Sequence, residues 1–318
     1  MKPPYTITDK ILTLVVSISE KIGEINASHL YKPATKLRKK NRIKTIQSSL
    51  EIEGNTLTEE QITALLENKR VIAPQKDILE VQNAIKVYEQ LNQFNPYQLK
   101  DLIKAHAVLM NGLIDNAGKL RTSNVGIIKG SKVEHLAPNG TMVNGLMKDL
   151  FNYLKKDNEL ILIKSCVFHY EFELIHPFLD GNGRMGRLWQ TLILMQKYPV
   201  FEYLPVESLI KQQQSEYYNK LSESDKKGNS TPFIEFMLGI ISQSLDTLLQ
   251  SQSITLHTED RIRLFKDKIG KNTFSRKDYM QSFKNISAPT ASRDLKWAVD
   301  QNLLSKSGTL RLTEYQFK

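Results

Sequence analysis

The sequence contains very little cysteine and no long apolar segment. Cys166 is the only cysteine among 318 residues, so one chain can build neither a disulfide framework nor a thiolate metal site. No stretch approaches the roughly 18 uninterrupted apolar residues of a membrane span, and the N-terminal stretch MKPPYTITDK lacks the apolar core of a signal peptide. These absences predict a cytoplasmic protein in a reducing compartment, without a membrane partner.

What the chain does contain is enough apolar surface for a core and an excess of positive charge. A hydrophobic content of 40% over this length predicts a globular protein of two or three domains. The formal net charge is +10, and the segment 258–318 alone has 13 Lys and Arg against 7 Asp and Glu. Such an excess attracts phosphate-bearing partners through the summed field.

A second basic cluster lies in the N-terminal third of the chain. Its members are Lys32, Lys36, Arg38, Lys39, Lys40, Arg42 and Lys44. Because runs of charge usually form a solvated helix face, we interpret this cluster as surface rather than as a binding site.

Helical periodicity dominates the first 250 residues. After Asn95-Pro96, apolar positions recur at steps of three and four up to residue 113, which predicts one buried helical face. The segments LILIKSCVFHYEFELI (160–175) and GRLWQTLILMQKY (186–198) predict two more helices, the second apolar nearly all round and therefore central. His106 and His169 lie on such apolar faces, so we interpret them as packed core histidines.

Two stretches interrupt the helical pattern. Between Gly118 and Gly145, β-branched residues alternate around Gly130-Ser131, which predicts a short hairpin. The segment SQSITLHT (251–258) is small and polar and predicts a linker, and beyond it a helix precedes two short strands around Ser307-Gly308. The resulting division is an N-terminal helical region at 1–95, a core at 96–250 and a C-terminal domain at 258–318.

Residues 176–187 read HPFLDGNGRMGR, in which Gly181, Gly183 and Gly186 spell G-x-G-x-x-G. A dinucleotide-binding fingerprint needs those glycines to follow a strand inside a βαβ unit and an acidic residue to end the next strand. Here both flanks are helical in period, and Glu202 follows a Tyr-Pro turn. The sequence therefore argues against a dinucleotide fold, and Gly186 has no part in the interpretation that replaces it.

Between two helices, the same residues predict an anion site. Pro177 disfavours helix at the preceding residue, so we expect His176 to leave the helix and present its imidazole at the loop. Gly181, Asn182 and Gly183 let backbone N–H groups converge where the next helix exposes its unpaired amides and positive dipole end.

The charged residues around this loop suit nucleotide transfer. Arg184 and Arg187 share one helix face and can bind phosphate oxygens in a forked geometry. Asp180 fits such a site if it holds a hard cation between phosphates, and Mg²⁺ is the expected ion. His176, with an ordinary pKa of about 6.5, can take a proton from an incoming hydroxyl. A glycine-rich turn with surface arginines is the alternative, but it does not need this much unpaired positive charge.

This stretch resembles the signature of the Fic family, H-x-F-x-[D/E]-G-N-G-R-x-x-R, at every fixed position. The similarity extends over roughly 45–240, since GKLRTSNVGI resembles the entry to the family's flap hairpin and EYYNKL (216–221) its segment near the nucleotide base. In HLAPNG, Asn139 replaces the second proline of many relatives. The resemblance implies a mainly α fold: a Fic helical core with a short β-hairpin flap, an N-terminal helical region and a C-terminal winged helix-turn-helix domain.

The resemblance also implies an activity, the transfer of AMP from ATP to a Ser, Thr or Tyr hydroxyl of a target protein or of the chain itself. Fic relatives often form homodimers, and we expect one here. The residue roles that it implies are the following: His176 as base, Asp180 as Mg²⁺ ligand, Phe178 as core anchor, Gly181, Asn182 and Gly183 as anion nest, Arg184 on the β-phosphate, Arg187 on the γ-phosphate, and Tyr217 and Tyr218 near the adenine. Transfer of UMP or another phosphate-linked group stays open.

Upstream, SSLEIEGN (48–55) resembles the family's inhibitory motif, [S/T]-x-x-x-E-[G/N]. Ser49 and Glu53 are four apart on one helix face, and Gly54 is a natural helix stop. Alone, the pattern would be an ordinary helix end. With the Fic motif present, we expect Glu53 to pair with Arg187 and to compete with the γ-phosphate, so that the protein is autoinhibited. The same glutamate can also assist removal of AMP.

The C-terminal domain resembles a winged helix-turn-helix, with APTASRDLKWAV as recognition helix and the hairpin at Ser307-Gly308 as wing. The residues predicted to face outward, and assigned to DNA contact, are Thr290, Ser292, Arg293 and Lys296. Its positive charge suits DNA phosphates, but winged helices also dock proteins. An alternative function is therefore a DNA-binding transcriptional regulator whose Fic core senses a nucleotide.

Overall fold

A computed structural model describes residues 2–27, 35–129, 132–156, 158–251, 258–270, 272–283, 286–309 and 313–318. The hairpin turn at Gly130-Ser131 and most of the predicted linker at 251–258 lie outside these residues. The chain forms two compact units, Met1–Ser251 and Gln252–Lys318.

The first unit is mainly helical, which confirms the expected fold class. Its helices are α1 (Asp9–Ala27), α2 (Thr35–Ile52), α3 (Glu59–Leu66), α4 (Gln75–Glu89), α5 (Leu99–Leu109), α6 (Val143–Lys156), α7 (Ile161–Ile175), α8 (Asn182–Met195), α9 (Val206–Gln212), α10 (Gln214–Lys227) and α11 (Thr231–Ser251). An antiparallel hairpin of β1 (Gly126–Lys129) and β2 (Lys132–Leu136) stands between α5 and α6.

Helices α7 and α8 form the centre of this unit. They pack along each other, while α6 and α11 also contact α7, so most of α7 is buried. Phe168 and Phe172 of α7 and Trp189 of α8 are fully buried. The indole Nε1 of Trp189 donates to the carbonyl oxygen of Pro96 at 3.0 Å. The central position predicted for the segment 186–198, which lies largely in α8, is thus confirmed.

Helix α2 packs on α9, α3 and α4 through a buried stripe that includes Ile43, Ile46 and Leu50. The helix ends at Ile52, and Gly54 then adopts a left-handed conformation with φ of 94°. The next helix, α3, begins with a capping box between Thr58 and Gln61. These two local signals fix the end of α2 on the surface of the helical core.

The second unit contains three helices followed by a small sheet. Its elements are α12 (Thr258–Ile269), α13 (Arg276–Ser282), α14 (Ala288–Asp300), β3 (Leu304–Ser307) and β4 (Glu314–Phe317). The strands are antiparallel, with Leu304 opposite Phe317, and Phe265 lies in the centre of a separate apolar core. Within that core, Arg261 pairs with the buried Asp294 at 2.6 Å.

Along the described part of the chain, no helix is both long and apolar enough to cross a membrane.

Candidate active site

The loop between α7 and α8 (176–181), called the motif loop below, places His176 at the edge of a cavity. Helix α7 ends at Ile175, and His176 takes a left-handed conformation with φ of 48°. That conformation is strained for a residue with a side chain, typically by about 1 to 3 kcal/mol, so surrounding contacts must impose it. The carbonyl oxygen of His176 accepts a hydrogen bond from Nε of Arg121 at 2.7 Å, and this contact helps to hold the turn.

The cavity beside His176, called the motif cavity below, has a volume of about 190 Å³. Its lining includes Glu53, His176, Gly183, Arg187, Tyr217 and Tyr218. Residues from the end of α2, the motif loop, α8 and α10 therefore converge on one space. Asp180 and Arg184 are not part of this lining. They contact each other, and Arg184 also contacts Glu80.

The side chain of Asn182 stabilises the motif loop by two hydrogen bonds. Its Oδ1 accepts from the backbone N–H of Phe178 at 2.9 Å, and its Nδ2 donates to the Phe178 carbonyl at 2.9 Å. The ring of Phe178 is fully buried and stacks on His106 with centroids 3.6 Å apart. Phe178 thus packs in the core, as the sequence resemblance implies.

His106 is buried, as expected, but it also holds the motif loop. Its Nδ1 accepts from the N–H of Gly118 at 2.8 Å, so the ring proton lies on Nε2, which donates to the carbonyl of Asp180 at 3.0 Å. Burial lowers the pKa of His106 to about 4, so the ring stays neutral. Sequence periodicity found the burial of His106 and missed this contact.

The start of α8 is shaped by glycines. Gly181 has a φ of 84°, and a Cβ there would lie 2.8 Å from Sδ of Met110. A Cβ on Gly183 would lie only 2.5 Å from Oε1 of Glu53. The missing side chain at Gly183 therefore lets a carboxylate approach the first turn of α8, where backbone amides and the helix dipole favour negative charge.

Gly186 has a structural role that the sequence did not predict. It was given no role there, yet a Cβ at Gly186 would lie 2.8 Å from Oε1 of Glu173 and 3.0 Å from Cδ2 of His169. Gly186 thus allows α7 and α8 to pack closely. The third glycine of the motif serves helix packing.

Arg187 is paired with the end of α2. Its Nη2 donates to Oε1 of Glu53 at 2.8 Å and to the carbonyl of Ser49 at 2.9 Å, while Nε donates to Oγ of Ser49 at 3.1 Å. Arg187 is 2% exposed. Its burial by itself would lower the pKa, but the charge of Glu53 raises the pKa of Arg187 above its usual value. The guanidinium therefore keeps its charge, and its Nε and Nη2 are bonded to Ser49 and Glu53.

Arg184 faces a different set of partners. Its Nη1 donates to Oε1 of Glu80 on α4 at 3.2 Å, and its Nη2 donates to Oδ1 of Asp180 at 2.9 Å. The same Asp180 oxygen accepts from the N–H of Gly181 at 2.5 Å. Glu80 also accepts from Nδ2 of Asn55 at 2.8 Å. Glu80 was not found from the sequence, because no local signal links α4 to a motif about 100 residues later.

The two tyrosines border the motif cavity differently. Tyr217 is 1% exposed, and its hydroxyl meets Nε2 of His169 at 3.0 Å, while Nδ1 of His169 contacts Oε1 of Gln190 at 2.7 Å. Burial lowers the pKa of His169 to about 3 and raises that of Tyr217. Tyr218 is partly exposed at the cavity wall. Tyr217 is thus part of a buried hydrogen-bonded chain, and Tyr218 is the more exposed of the two.

Arg121 is the second residue that sequence reasoning missed. It is 3% exposed, and its side chain donates to four carbonyl oxygens. These belong to Ser123, Pro138, Ile175 and His176, at 2.7 to 3.0 Å. Arg121 therefore joins the segments that flank the hairpin to the start of the motif loop. The only sequence signal for this role was the position of Arg121 in GKLRTSNVGI, a segment with little other charge.

No group of three or more His, Cys, Asp and Glu side chains with metal-ligand geometry occurs in the described ranges. A Mg²⁺ site does not need one, since this ion commonly takes one or two carboxylates together with substrate phosphates. Asp180 suits such a site because its side chain is 48% exposed and lies beside the N-terminus of α8. The residues present therefore fit Mg²⁺ held jointly with a phosphate ligand.

Fold and site together define a mainly helical protein with an anion-binding loop, a histidine and a paired arginine on one cavity. A model of the Fic/DOC family matches residues 91–194. A solved structure described as a Fic family protein from Desulfovibrio desulfuricans G20 is 40% identical, with a TM-score of 0.76 over 100% of this chain and 98% of that one. The chain belongs to the Fic family.

Curated relatives carry the name protein adenylyltransferase Fic. The one from Drosophila grimshawi is 31% identical over 75% of this chain, and the one from Nematostella vectensis is 29% identical over 81%. The chain spans 50% and 62% of their lengths, so it corresponds to about half of the first. The solved Caenorhabditis elegans Fic-1 (aa134–508) shares the fold, with a TM-score of 0.61 over 76% of this chain and 72% of that chain, at 21% identity.

Proposed function

We propose that the protein transfers AMP from ATP to a Ser, Thr or Tyr hydroxyl of a target protein or of itself. The observation that carries this proposal is the convergence of His176, Arg187 and the N-terminus of α8 on one cavity. A base, a phosphate-binding cation and a set of helix amides are the parts that transfer of a nucleotidyl group needs. The names of the curated relatives support the same activity.

In this reaction, His176 accepts the proton of the attacking hydroxyl. The hydroxyl oxygen forms a bond to the α-phosphorus of ATP, and the bond from that phosphorus to the bridging oxygen breaks, releasing pyrophosphate. The backbone amides of Gly181, Asn182 and Gly183 stabilise the phosphate oxygens as negative charge develops. The strained turn at His176 points the imidazole into the cavity where the hydroxyl must arrive.

Arg184 and Arg187 take the β- and γ-phosphates in this proposal, and Asp180 holds Mg²⁺. The metal, when bound, neutralises charge on the phosphates and on the departing pyrophosphate. Asp180 would hold the metal through the carboxylate that contacts Arg184 in this structure, and Arg184 would keep Glu80 as its partner. Tyr217 and Tyr218 form the wall near the adenine, with Tyr217 held in place by His169.

Glu53, together with Ser49 and Gly54, is proposed to inhibit this reaction. The pair with Arg187 occupies the guanidinium fork that a γ-phosphate would use, and the Glu53 carboxylate lies against Gly183 in the first turn of α8. An ion pair in a partly dry cleft is harder to displace than an exposed one. The same carboxylate next to the phosphate site can also assist the reverse reaction, removal of AMP.

For the C-terminal unit we propose a winged helix-turn-helix that selects the target or contacts DNA. On α14, Arg293 and Lys296 are exposed, Thr290 and Ser292 are partly buried, and Ser292 accepts from Arg276 at 2.9 Å. Exposed cations on one helix suit phosphates. Charge reversal of Arg293 and Lys296 should abolish salt-dependent binding to duplex DNA; a protein-docking unit would show no such binding before or after the change.

The decisive test of the activity is incubation of Glu53→Gly with each nucleoside triphosphate and Mg²⁺, followed by intact mass measurement. We expect added AMP with ATP, much less with the wild-type chain, and none with Glu53→Gly combined with His176→Ala. Glu51→Gly is the matched control, because Glu51 also lies at the end of α2 but faces Lys211. No mass increase with any nucleotide, on the chain or on the proteins of a cell lysate added to the same reaction, would refute the proposal, and an increase only with UTP would reassign the donor.

A further inference from the structure

A second cavity lies on the same helix, α2, away from the motif cavity. It has a volume of about 300 Å³ and lies between α2, α9 and α11. Its lining includes Lys40, Asn41, Lys44, Ser208, Leu209 and Ser244, and it is called the lysine cavity below. The volume is at the lower end of the range for small-molecule sites. None of the residues that line the motif cavity lines this one.

The lysines of this cavity differ from their neighbours on α2 in having no carboxylate partner. Lys39 pairs with Glu67 at 3.1 Å, and Arg42 contacts Glu202 at 3.4 Å. Among the described residues, neither Lys40 nor Lys44 forms an ion pair or a hydrogen bond through its ammonium group. The two are four residues apart, so they lie one above the other on the face of α2 that lines the cavity.

A buried hydroxyl in the wall also lacks a partner. Ser244 of α11 is 4% exposed, and its Oγ makes no hydrogen bond within the described structure. A buried hydroxyl without a partner costs about 1 to 3 kcal/mol, so a native protein usually supplies one. Ser244 is one of the residues that line the lysine cavity, and rotation about its χ1 would present the hydroxyl to a polar group bound there. Asn41 and Ser208 add polar groups beside it.

Apart from Gln212 and Thr247, the remaining wall is apolar and aliphatic. Leu204, Leu209 and Leu248 contribute leucine side chains, and no aromatic residue is present among the described lining. A nucleobase would find no ring to stack on, whereas a methylene chain gains about 0.8 kcal/mol for each CH₂ that is buried. Two free ammonium groups at the rim and an aliphatic wall therefore favour a ligand that is anionic at one end and aliphatic at the other.

We propose that the lysine cavity binds a small amphipathic anion, with a carboxylate or phosphate head on Lys40 and Lys44 and an aliphatic body against the leucines. This binding site is separate from the motif cavity and takes a different ligand class. Lys40 is exposed and Lys44 is partly exposed, as expected for a solvated face, and the proposal adds a ligand to that face. Lys32 and the side chain of Lys36 lie outside the described structure.

The test is isothermal calorimetry on the full chain with octanoate, octyl phosphate and octanol as probes. We expect the two anions to bind at least about tenfold more tightly than octanol, a difference of about 1.4 kcal/mol. Lys40→Glu with Lys44→Glu should weaken octanoate binding by about tenfold or more. Ser244→Ala should weaken it by a few fold. Comparing the affinities of octanoate and octyl phosphate identifies the preferred head group.

Lys39→Glu is the matched control, since Lys39 carries the same charge on the same helix but is paired with Glu67. Its octanoate affinity should stay within about twofold of the wild type, and circular dichroism should show all variants folded. Equal affinities for octanoate and octanol, an equal loss in the Lys39 and the Lys40 and Lys44 variants, or no binding of any probe would each overturn the proposal.

Discussion

The two cavities on α2 differ in how their positive charges are balanced. In the motif cavity, Arg187 is bound by Glu53, and the neighbouring Arg184 is bound by Glu80 and Asp180. In the lysine cavity, the ammonium groups have no carboxylate partner among the described residues. A site whose cation already has an internal counter-ion admits an anion only by breaking an ion pair, so access is controlled. A site without one is open to an anion at all times.

Helix α9, which borders the lysine cavity, also holds a buried carboxyl group. Glu207 of α9 is 1% exposed, whereas Ser208 and Leu209 of the same helix line the lysine cavity. Burial raises the pKa of Glu207 to about 7, with the charges of Arg187 and Arg42 acting in the opposite direction. Helix α9 thus contains a carboxyl group whose raised pKa lies near neutral pH.

The largest expected effect is loss of chemistry in the motif cavity alone. In a Glu53→Gly background, His176→Ala should lower the rate of AMP incorporation by about 10²- to 10⁴-fold, because a general base contributes that much. ATP binding should be retained, since His176 does not hold the phosphates. Radiolabel incorporation and calorimetry measure the two quantities. Unreduced incorporation would remove His176 from the base role and weaken the contrast between a reactive and a binding cavity.

The next largest effect concerns the buried carboxyl group of Glu207 on α9 and the pH dependence of stability. Between its ordinary pKa of 4.5 and about 7, the folded state binds more protons at Glu207 than the unfolded state does. The free energy of unfolding should therefore fall as pH rises through this window. Glu207→Gln removes this contribution, so between pH 5 and pH 8 the wild type should lose about 2 to 3 kcal/mol more than the variant.

Urea unfolding at the two pH values gives this difference, and other titrating groups, such as Glu171, are common to both proteins. Parallel pH dependence in the wild type and Glu207→Gln would show that the carboxyl of Glu207 is already ionised or exposed at low pH.

The smallest expected effect concerns the second contact of Arg187. Ser49→Ala removes the hydroxyl bond to Nε and leaves the Glu53 pair and the Ser49 carbonyl contact in place. One neutral partner of a charged donor is worth about 1 kcal/mol, so self-modification should rise a few fold, less than in Glu53→Gly. Ser48→Ala, one residue earlier and bonded to Ser208, is the control. If self-modification rose as much in Ser49→Ala as in Glu53→Gly, Ser49 rather than Glu53 would be the main inhibitory contact of Arg187.

Local signals predicted the helices and the motif loop well. The end of α7 before Pro177, the glycine stop at Gly54 and the capping box at Thr58 and Gln61 each depend on residues within one or two turns. They carry their own physical cause in the sequence. The helicity of α7 and α8 and the central position of α8 followed from apolar periodicity alone.

Long-range partners were not predictable in this way. Glu80 meets Arg184, and Arg121 meets the carbonyls of the motif loop, across 104 and up to 55 residues of sequence. The basic cluster on α2 was interpreted as one surface because its members look alike in sequence. Only the fold shows that Lys39 has a carboxylate neighbour and that Lys40 and Lys44 face a cavity.

The most direct measurement of the central claim compares ATP and ADP binding in the wild type and Glu53→Gly by calorimetry. If Glu53 occupies the place of the γ-phosphate on Arg187, the variant should bind ATP about tenfold more tightly, while ADP affinity changes by less than about threefold. Glu51→Gly should change neither. Equal gains for ATP and ADP, or no gain for ATP, would contradict the account.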